Sequence, residues 1–305
     1  MLYIGTRGSN LALTQARWVL TQIRTRFPEI TESVSLKVIK TTGDRDGQFP
    51  IGSGSTRGVF VKELQEALMS KEIDLAVHSM KDMPTKNPDS LEIRVIPARE
   101  DARDTLVSKA RAVFRELPQG ALVGTGSPRR QAQMLAVRPD LRVAGIRGNV
   151  DTRIQKAING DYDAIILACA GLNRLGLQEH CGAPLEFADM LPAPGQGALA
   201  LETRKDENRI GYLIEFLHHP ATATAVTAER AFLRRLEGGC MSPIAVYAVQ
   251  DADRIRIEGL VASMDGSKVI RDSVSTEARL AEESAIELAE RILARGGDSI
   301  LRPLS

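Results

Sequence analysis

An α/β chain in two or three domains is the fold class this sequence predicts, and three observations predict it. Short aliphatic runs such as Leu2 to Gly5 and Leu122 to Gly124 lead into polar loops and then into amphipathic helices, the repeating unit of an α/β domain. Near the far end the pattern changes to three strands that alternate apolar and polar residues, as a small antiparallel sheet with helices on one side would. With 305 residues and 43% apolar content, the chain can bury a core large enough for two or three domains.

Taken in order, Leu2 to Gly5 forms the first strand, and Thr6-Arg7-Gly8-Ser9-Asn10 a loop ending at a helix N-cap, Ser9 or Asn10. Leu13, Ala16, Leu20, Ile23 and Phe27 recur at three- and four-residue spacing, which gives the helix one buried face until Pro28 stops it. A strand over Val34 to Lys40 leads into Thr41 to Gly58, rich in Gly, Ser and Thr. At about 18 residues that stretch is long for a compact domain and reads as a functional lid. It lacks GxxxxGK[ST], so a nucleotide site is a weak reading there. A helix over Val59 to Met69 places Phe60, Leu64 and Leu68 on one face. Ile73 to Val77 reads as a buried strand, Leu91 to Pro97 as another, and Ala98 to Asp104 as a charged hinge.

A second domain starts near Thr105. Its elements are strand Leu122 to Gly124, loop Thr125 to Arg130, helix Gln131 to Val137, strand Leu141 to Ile146, loop Arg147 to Arg153, a helix to Asn159 capped by Gly160, and strand Ala164 to Ala168. Leu191 to Glu202 reads as a return crossing, followed by a helix from Asn208 to Leu217. The last domain begins near Thr222 with a helix to Leu236 closed by Gly238-Gly239. Strands Ile244 to Val249, Arg254 to Ser263 and Lys268 to Ser275 and a helix Glu282 to Ala294 complete it.

Composition excludes several classes. Forty basic and 39 acidic residues leave a net charge of +1, so no global field attracts nucleic acid or an anionic membrane, and any anion site is local. No apolar run approaches the roughly 20 residues a membrane span needs, and MLYIGTRGS lacks the regions of a signal peptide, which makes a cytoplasmic location the expectation. Three cysteines without CxxC spacing and four histidines argue against a disulfide framework and a metal centre. Aromatics at 4% argue against a stacking platform for single-stranded nucleic acid.

The chemistry-bearing candidates lie in the loops. In HSMKDMP, His78 to Pro84, an acid stands beside a base at a strand end, where an open α/β sheet usually keeps its site. Read alone, Asp82 caps a turn and Lys81 is solvated. Arg7, Arg129, Arg130, Arg147 and Arg153 each follow a strand, next to Gly, Ser, Thr or Asn at helix starts. Singly each reads as surface charge; together they imply a small polyanion held between two α/β domains. Cys169, in AIILACAGL, reads as packing, and Cys181 has no evident role. Cys240 follows Gly238-Gly239 in a loop, where a thiolate could be a nucleophile or an attachment point, although an inert cysteine is the plainer reading.

The chain resembles the porphobilinogen deaminase family, also called hydroxymethylbilane synthases. The resemblance rests on TRGSNLALTQA from Thr6, GVFVKELQEAL from Gly58, DLAVHSMKDMPT from Asp74, GTGSPRRQAQ from Gly124, RGNVDTR from Arg147, YDAIILACAGLNRLGL from Tyr162, LPAPGQGALALE from Leu191 and AERAFLRRLEGGC from Ala228, in the family's order. It implies three domains: 1–97 with 194–216, 98–193, and 217–305. The first two resemble type II periplasmic binding proteins with mixed five-stranded sheets; the third is a small α+β domain with a three-stranded antiparallel sheet. It further implies a dipyrromethane cofactor joined to Cys240 by a thioether, no metal, and a monomer. The reaction implied joins four porphobilinogen molecules head to tail with loss of four ammonia molecules. Hydrolysis then frees linear hydroxymethylbilane, which passes to uroporphyrinogen-III synthase.

Carried over position by position, the resemblance makes Asp82 the catalytic carboxylate, serving positive charge that builds on pyrrole nitrogen. It makes Lys81, Asp82, Ser79, Thr125, Ser127, Arg129, Arg130, Arg147 and Gly148 cofactor contacts beside Cys240. Arg7, Ser9, Arg57, Phe60, Arg147, Arg153 and Gln196 become substrate contacts. Arg57 departs from the pattern, where relatives carry Lys; charge is kept, but the guanidinium is bulkier and forked. Carboxylates that accumulate on a growing pyrrole chain would explain the arginines. Two other classes share features with this chain. A solute-binding protein shares the cleft but would carry an export signal and needs no exposed cysteine, and a polyanion or nucleic-acid binder is disfavoured by the charge balance.

Overall fold

The computed structural model describes residues 1–40, 61–109, 111–238 and 242–301. The chain divides into two compact units, one of residues 1–99 with 198–223 and one of 100–197 with 224–305.

In the first unit, β1 (Leu2–Thr6) lies between β2 (Val34–Val38) and β3 (Leu75–Ser79), all parallel. β10 (Leu199–Arg204) enters antiparallel between β3 and β4 (Leu91–Val95), completing the mixed order β2-β1-β3-β10-β4. The helix Asn10–Arg26 buries Ala16, Val19, Leu20 and Ile23 against Leu2, Ile4, Leu75 and Leu201, the face its sequence spacing predicts. Ser9 is its N-cap, extended at φ −70° and ψ 148°, with its hydroxyl accepting from the Ala12 N–H. On another side of the core, the helix Lys62–Met69 packs Leu64 and Leu68 on Ile73, Ala76 and Leu91.

The second unit holds two sheets. β7 (Arg142–Ala144), β6 (Leu122–Gly124) and β8 (Ala164–Ala168) run parallel, and β5 (Asp104–Val107) lies antiparallel between β8 and β9 (Cys181–Pro184), in the order β7-β6-β8-β5-β9. This repeats the first unit's plan, three parallel strands and then an inverted one beside an edge strand. β11 (Ile244–Asp251), β12 (Arg254–Ala262) and β13 (Val269–Glu277) form the antiparallel meander expected from their alternation. The helices Pro220–Arg235 and Ala281–Ile292 pack Phe232, Leu288 and Ile292 against Val246, Ile255 and Ile257. Two mixed five-stranded sheets and one three-stranded antiparallel sheet are thus the architecture the sequence leads one to expect. No helix among the described residues is long and apolar enough to cross a membrane.

Several local expectations need correction. β3 ends at Ser79 and not at Val77, so His78 and Ser79 are strand residues and only Met80–Asp82 forms the turn. The helix after Ser127 begins at Pro128, whose fixed φ suits a first helical position. Arg129 and Arg130 are therefore helical, and Arg153 lies inside the helix Val150–Asn159. Asp104, read as part of a hinge, opens β5, and the run after Ala168 continues as a helix, Cys169–Leu175, where no helix was expected. The lid reading of Thr41 to Gly58 lies outside the described residues.

Candidate active site

In the first unit β1 and β3 run parallel, with Ile4 paired to Leu75 and Gly5 to Ala76, so β3 carries on past the end of β1. That adjacency brings the loop after β1 to the turn after β3. The buried Thr6 hydroxyl donates to the Ala12 carbonyl at 3.0 Å, which closes the loop over the helix start. After β3, the Met80 N–H donates to the Ala198 carbonyl at 3.0 Å and the Met83 N–H to the Met80 carbonyl at 3.1 Å. Met80 and Met83 are buried on either side of half-buried Lys81 and Asp82, so two apolar anchors fix the turn that carries the acid.

These elements enclose a cavity of about 70 Å³ lined by Arg7, Ser9, Leu11, Ala12, Gln15, Val61, Val77, His78, Ser79 and Asp82. Four sequence-predicted residues, Arg7, Ser9, Ser79 and Asp82, are thereby brought together. Lys81 shares the turn without lining the cavity. Gln15 escapes sequence reading because it sits on the helix face otherwise filled by core residues; its Nε2 donates to the Ser79 hydroxyl at 3.2 Å. A carboxylate, a guanidinium and two hydroxyls around apolar walls suit a flat apolar ring that carries acidic groups and a polar N–H.

The second unit carries Thr125, Ser127, Arg129, Arg130, Arg147, Gly148, Arg153 and Gln196. The Ser127 N–H donates to the Thr125 hydroxyl at 3.2 Å, and the Ser127 hydroxyl accepts from the Arg130 N–H as the helix cap. Arg129 and Arg130 are buried against a single acid. Arg129 Nη1 lies 2.8 Å from Asp104 Oδ2, and Arg130 Nη2 donates to Oδ1 at 2.8 Å. Arg129 Nη1 also donates to the Leu191 carbonyl at 2.7 Å, and Arg130 Nη1 to the Ile166 carbonyl at 2.9 Å. Gln196 Nε2 donates to the same Oδ1 at 2.9 Å and to the Ala102 carbonyl at 2.7 Å. Burial works to raise Asp104, but the two guanidiniums overcome it and hold the carboxyl well below the usual carboxylate range. Burial pulls Arg129 down from the ordinary arginine value, against the attraction of Asp104.

Arg147 and Gly148 are exposed, in the loop before the helix Val150–Asn159. Gly148 has φ 114°, a left-handed conformation in which a Cβ would also meet Thr152 Cγ2 at 2.9 Å. Arg153 is half-buried, and its Nε donates to the Gly148 carbonyl at 2.7 Å. Burial, and then the positive charges of Arg130 and Arg147, hold Arg153 below its ordinary value. With one acid against four arginines, Asp104, Arg129, Arg130, Arg147 and Arg153 leave three positive charges, a donor set that fits a group bearing several carboxylates. Asp104 is the acid that sequence reading passes over; its signal was an acidic residue heading the apolar run Thr105-Leu106-Val107.

Cys240, Arg57 and Phe60 lie outside the described residues. Cys169 and Cys181 form no disulfide, and among the described residues no cluster of His, Cys, Asp and Glu could hold a metal ion.

Residues 2–211 match the family described as porphobilinogen deaminase, dipyromethane cofactor binding domain, and residues 223–294 the porphobilinogen deaminase C-terminal domain. Among curated relatives, the porphobilinogen deaminase of Pelobacter propionicus is 48% identical over 300 residues, covering 98% of this chain and 96% of its own length. That of Geobacter metallireducens is 48% identical, covering 98% and 93%. That of Thermus thermophilus is 46% identical over 302 residues, covering 99% and 98%.

Proposed function

The chain belongs to the porphobilinogen deaminase family, and from that membership we propose that Asp82 is its catalytic carboxylate and Cys240 its cofactor attachment point. The reaction is hydroxymethylbilane synthesis, a transferase reaction of tetrapyrrole biosynthesis. Four porphobilinogen molecules are joined head to tail with release of four ammonia molecules, and hydrolysis then yields linear hydroxymethylbilane. Dipyrromethane, when bound, supplies the pyrrole end from which the chain is extended.

The observation that carries the reading is the cavity on which Asp82, Arg7, Ser9 and Ser79 converge. A carboxylate in apolar surroundings attracts a pyrrole N–H strongly, because few waters compete for it, and it stabilises positive charge that develops there. Arg7 serves an acidic side chain of the ring beside it. In the second unit Arg147 and Arg153, with Thr125, Ser127 and the Gly148 backbone, serve cofactor and substrate carboxylates, and in the first unit Lys81 serves cofactor. Arg129 and Arg130 bind cofactor and Gln196 binds substrate, the three side chains meeting at buried Asp104. Arg57 and Phe60 are substrate contacts.

The domain division at 97/98, 193/194 and 216/217, a cytoplasmic location, action as a monomer and delivery of product to uroporphyrinogen-III synthase belong to the same proposal. The test is to give the purified chain porphobilinogen and follow ammonia and product. One ammonia per porphobilinogen consumed, with a linear tetrapyrrole as product, is the expected result; consumption without ammonia would refute it.

A further inference from the structure

Glu202 is fully buried in β10, and none of the roles above uses it. Opposite it on β3 stands Ala76, and Ala200 stands opposite His78, so strand alternation puts Glu202 and His78 on one face of the sheet. Oε2 of Glu202 lies 3.1 Å from His78 Nε2. Oε1 accepts from Gln65 Nε2 at 2.8 Å and from Asn87 Nδ2 at 3.2 Å. Two amide N–H groups thus donate to one oxygen of the buried acid, and the His78 ring stands at hydrogen-bond distance from the other.

The three partners come from three separate elements. His78 is near the end of β3, Gln65 is on the helix Lys62–Met69, and Asn87 follows the Asp82 turn on the way to β4. These elements also supply one side of the cavity, with His78 and Ser79 from β3, Val61 at the helix N-cap and Asp82 in the turn. His78 belongs to both sets, as a wall of the cavity and as a partner of Glu202. A shift at the buried carboxylate therefore reaches the cavity directly through the His78 ring, which belongs to both sets.

We propose that Glu202 is a positioning residue for Asp82, its carboxylate drawing the end of β3, the helix Lys62–Met69 and the segment after the Asp82 turn onto one point. This rests on the reading of Asp82 as the catalytic carboxylate. Misplacement of a reacting group by about 1 Å costs up to roughly 100-fold in rate, so a loosened turn is read in kcat before it is read in binding.

The test is steady-state kinetics of the holoenzyme with porphobilinogen. Glu202→Gln keeps the side chain's shape and turns one acceptor oxygen into an NH2 group facing a donor. The expected result is a fall in kcat of about 10- to 100-fold, with KM within about twofold and the covalent cofactor retained by intact mass. In an Asp82→Glu background, where the acid is already displaced, the same substitution should lower the residual kcat by less than about twofold, because residues that act through one another are not additive. An undiminished kcat, an equal fall on both backgrounds, or a fall that only tracks lost folded protein would overturn the proposal. Should Glu202→Gln fail to fold, Asn87→Ala removes one donor at the half-buried side; a smaller fall that disappears in the Asp82→Glu background supports the proposal, and an additive fall overturns it. An Asp82→Ala chain as active as the parent sinks the reading of Asp82 itself, whereas an impaired Asp82→Ala chain beside a silent Glu202→Gln sinks the inference alone.

Discussion

Arg129 Nη1 lies 2.8 Å from Asp104 Oδ2, with the two side chains 5% and 0% exposed, so this ion pair is held with almost no water. Arg130 shares the same acid at 2.8 Å. Removing the acid leaves two buried guanidiniums uncompensated, and breaking such a buried pair costs about 3–5 kcal/mol. Asp104→Asn is therefore expected to lower the urea unfolding midpoint at neutral pH steeply. A midpoint shift worth less than about 1 kcal/mol, the range of exposed pairs, would show that the pair is not a structural anchor.

The same pair sets a dependence on pH. Asp104 titrates lower in the folded chain than in the unfolded one, where an aspartate sits near 3.9. Its contribution is fully present above the unfolded value and is lost as pH falls through the folded one. The stability difference between parent and Asp104→Asn should hold from neutrality down to about pH 4 and narrow only below it. Unfolding at a series of pH values measures this directly, and a gap that closes between pH 7 and 5 would contradict it.

Most of the fold was legible because apolar periodicity decides it. The spacing of Leu13, Ala16, Leu20 and Ile23 marked the first helix, and alternation over Arg254 to Ser263 marked the central strand of the meander. What sequence hides is partnership across long separations. Arg129 and Asp104 are 25 positions apart, and Glu202 and His78 are 124 apart. Nothing local distinguishes these buried charges from solvated ones until strand order places β5 beside β8 and β10 beside β3. The arginines show the same limit, since five similar loop signals proved to be buried helical residues at Arg129 and Arg130 and an exposed one at Arg147.

That difference separates two arginine variants. Arg147 is exposed, so Arg147→Ala should leave stability within about 0.5 kcal/mol, as surface substitutions do. Its effect belongs in KM for porphobilinogen, expected to rise on the order of 10-fold for loss of a charge-assisted contact. Arg129→Ala instead removes one of the two guanidiniums that compensate the buried Asp104 and should unfold at markedly lower denaturant. Equal unfolding midpoints for the two variants would show that burial does not distinguish them.

The cysteines divide in a similar way. Burial pushes the Cys169 thiol up to about 12, with the charges of Asp101 and Asp104 adding to it, and burial also raises Cys181. At pH 8 roughly one Cys169 in 10,000 is then thiolate, the form that reacts. Iodoacetamide on the native chain should leave Cys169 unmodified. The intact chain should be heavier than its sequence by two pyrrole units, and peptide mapping should find that mass on the peptide containing Cys240. Cys240→Ala should lack it, and an active chain of unmodified mass would rule out the attachment.

On the proposed reading Asp82 is the residue that decides turnover. It shares its cavity with Arg7, Ser9 and Ser79 but is held in place from outside, by the buried flanks Met80 and Met83. Truncating it to alanine leaves those anchors intact, so the turn should keep its conformation and the chain its stability. A positioned proton-transfer or charge-stabilising group is worth roughly 100- to 10,000-fold in rate, and Asp82→Ala should lose that much in kcat. With the proposed attachment at Cys240, its covalent cofactor should survive far better than its turnover. Asp82→Asn keeps the size and the hydrogen-bonding reach but not the charge. Ranking the two variants separates the roles: if charge is what the reacting nitrogen requires, both fall together, and recovery of most of the parent's kcat by Asp82→Asn would show that shape alone suffices.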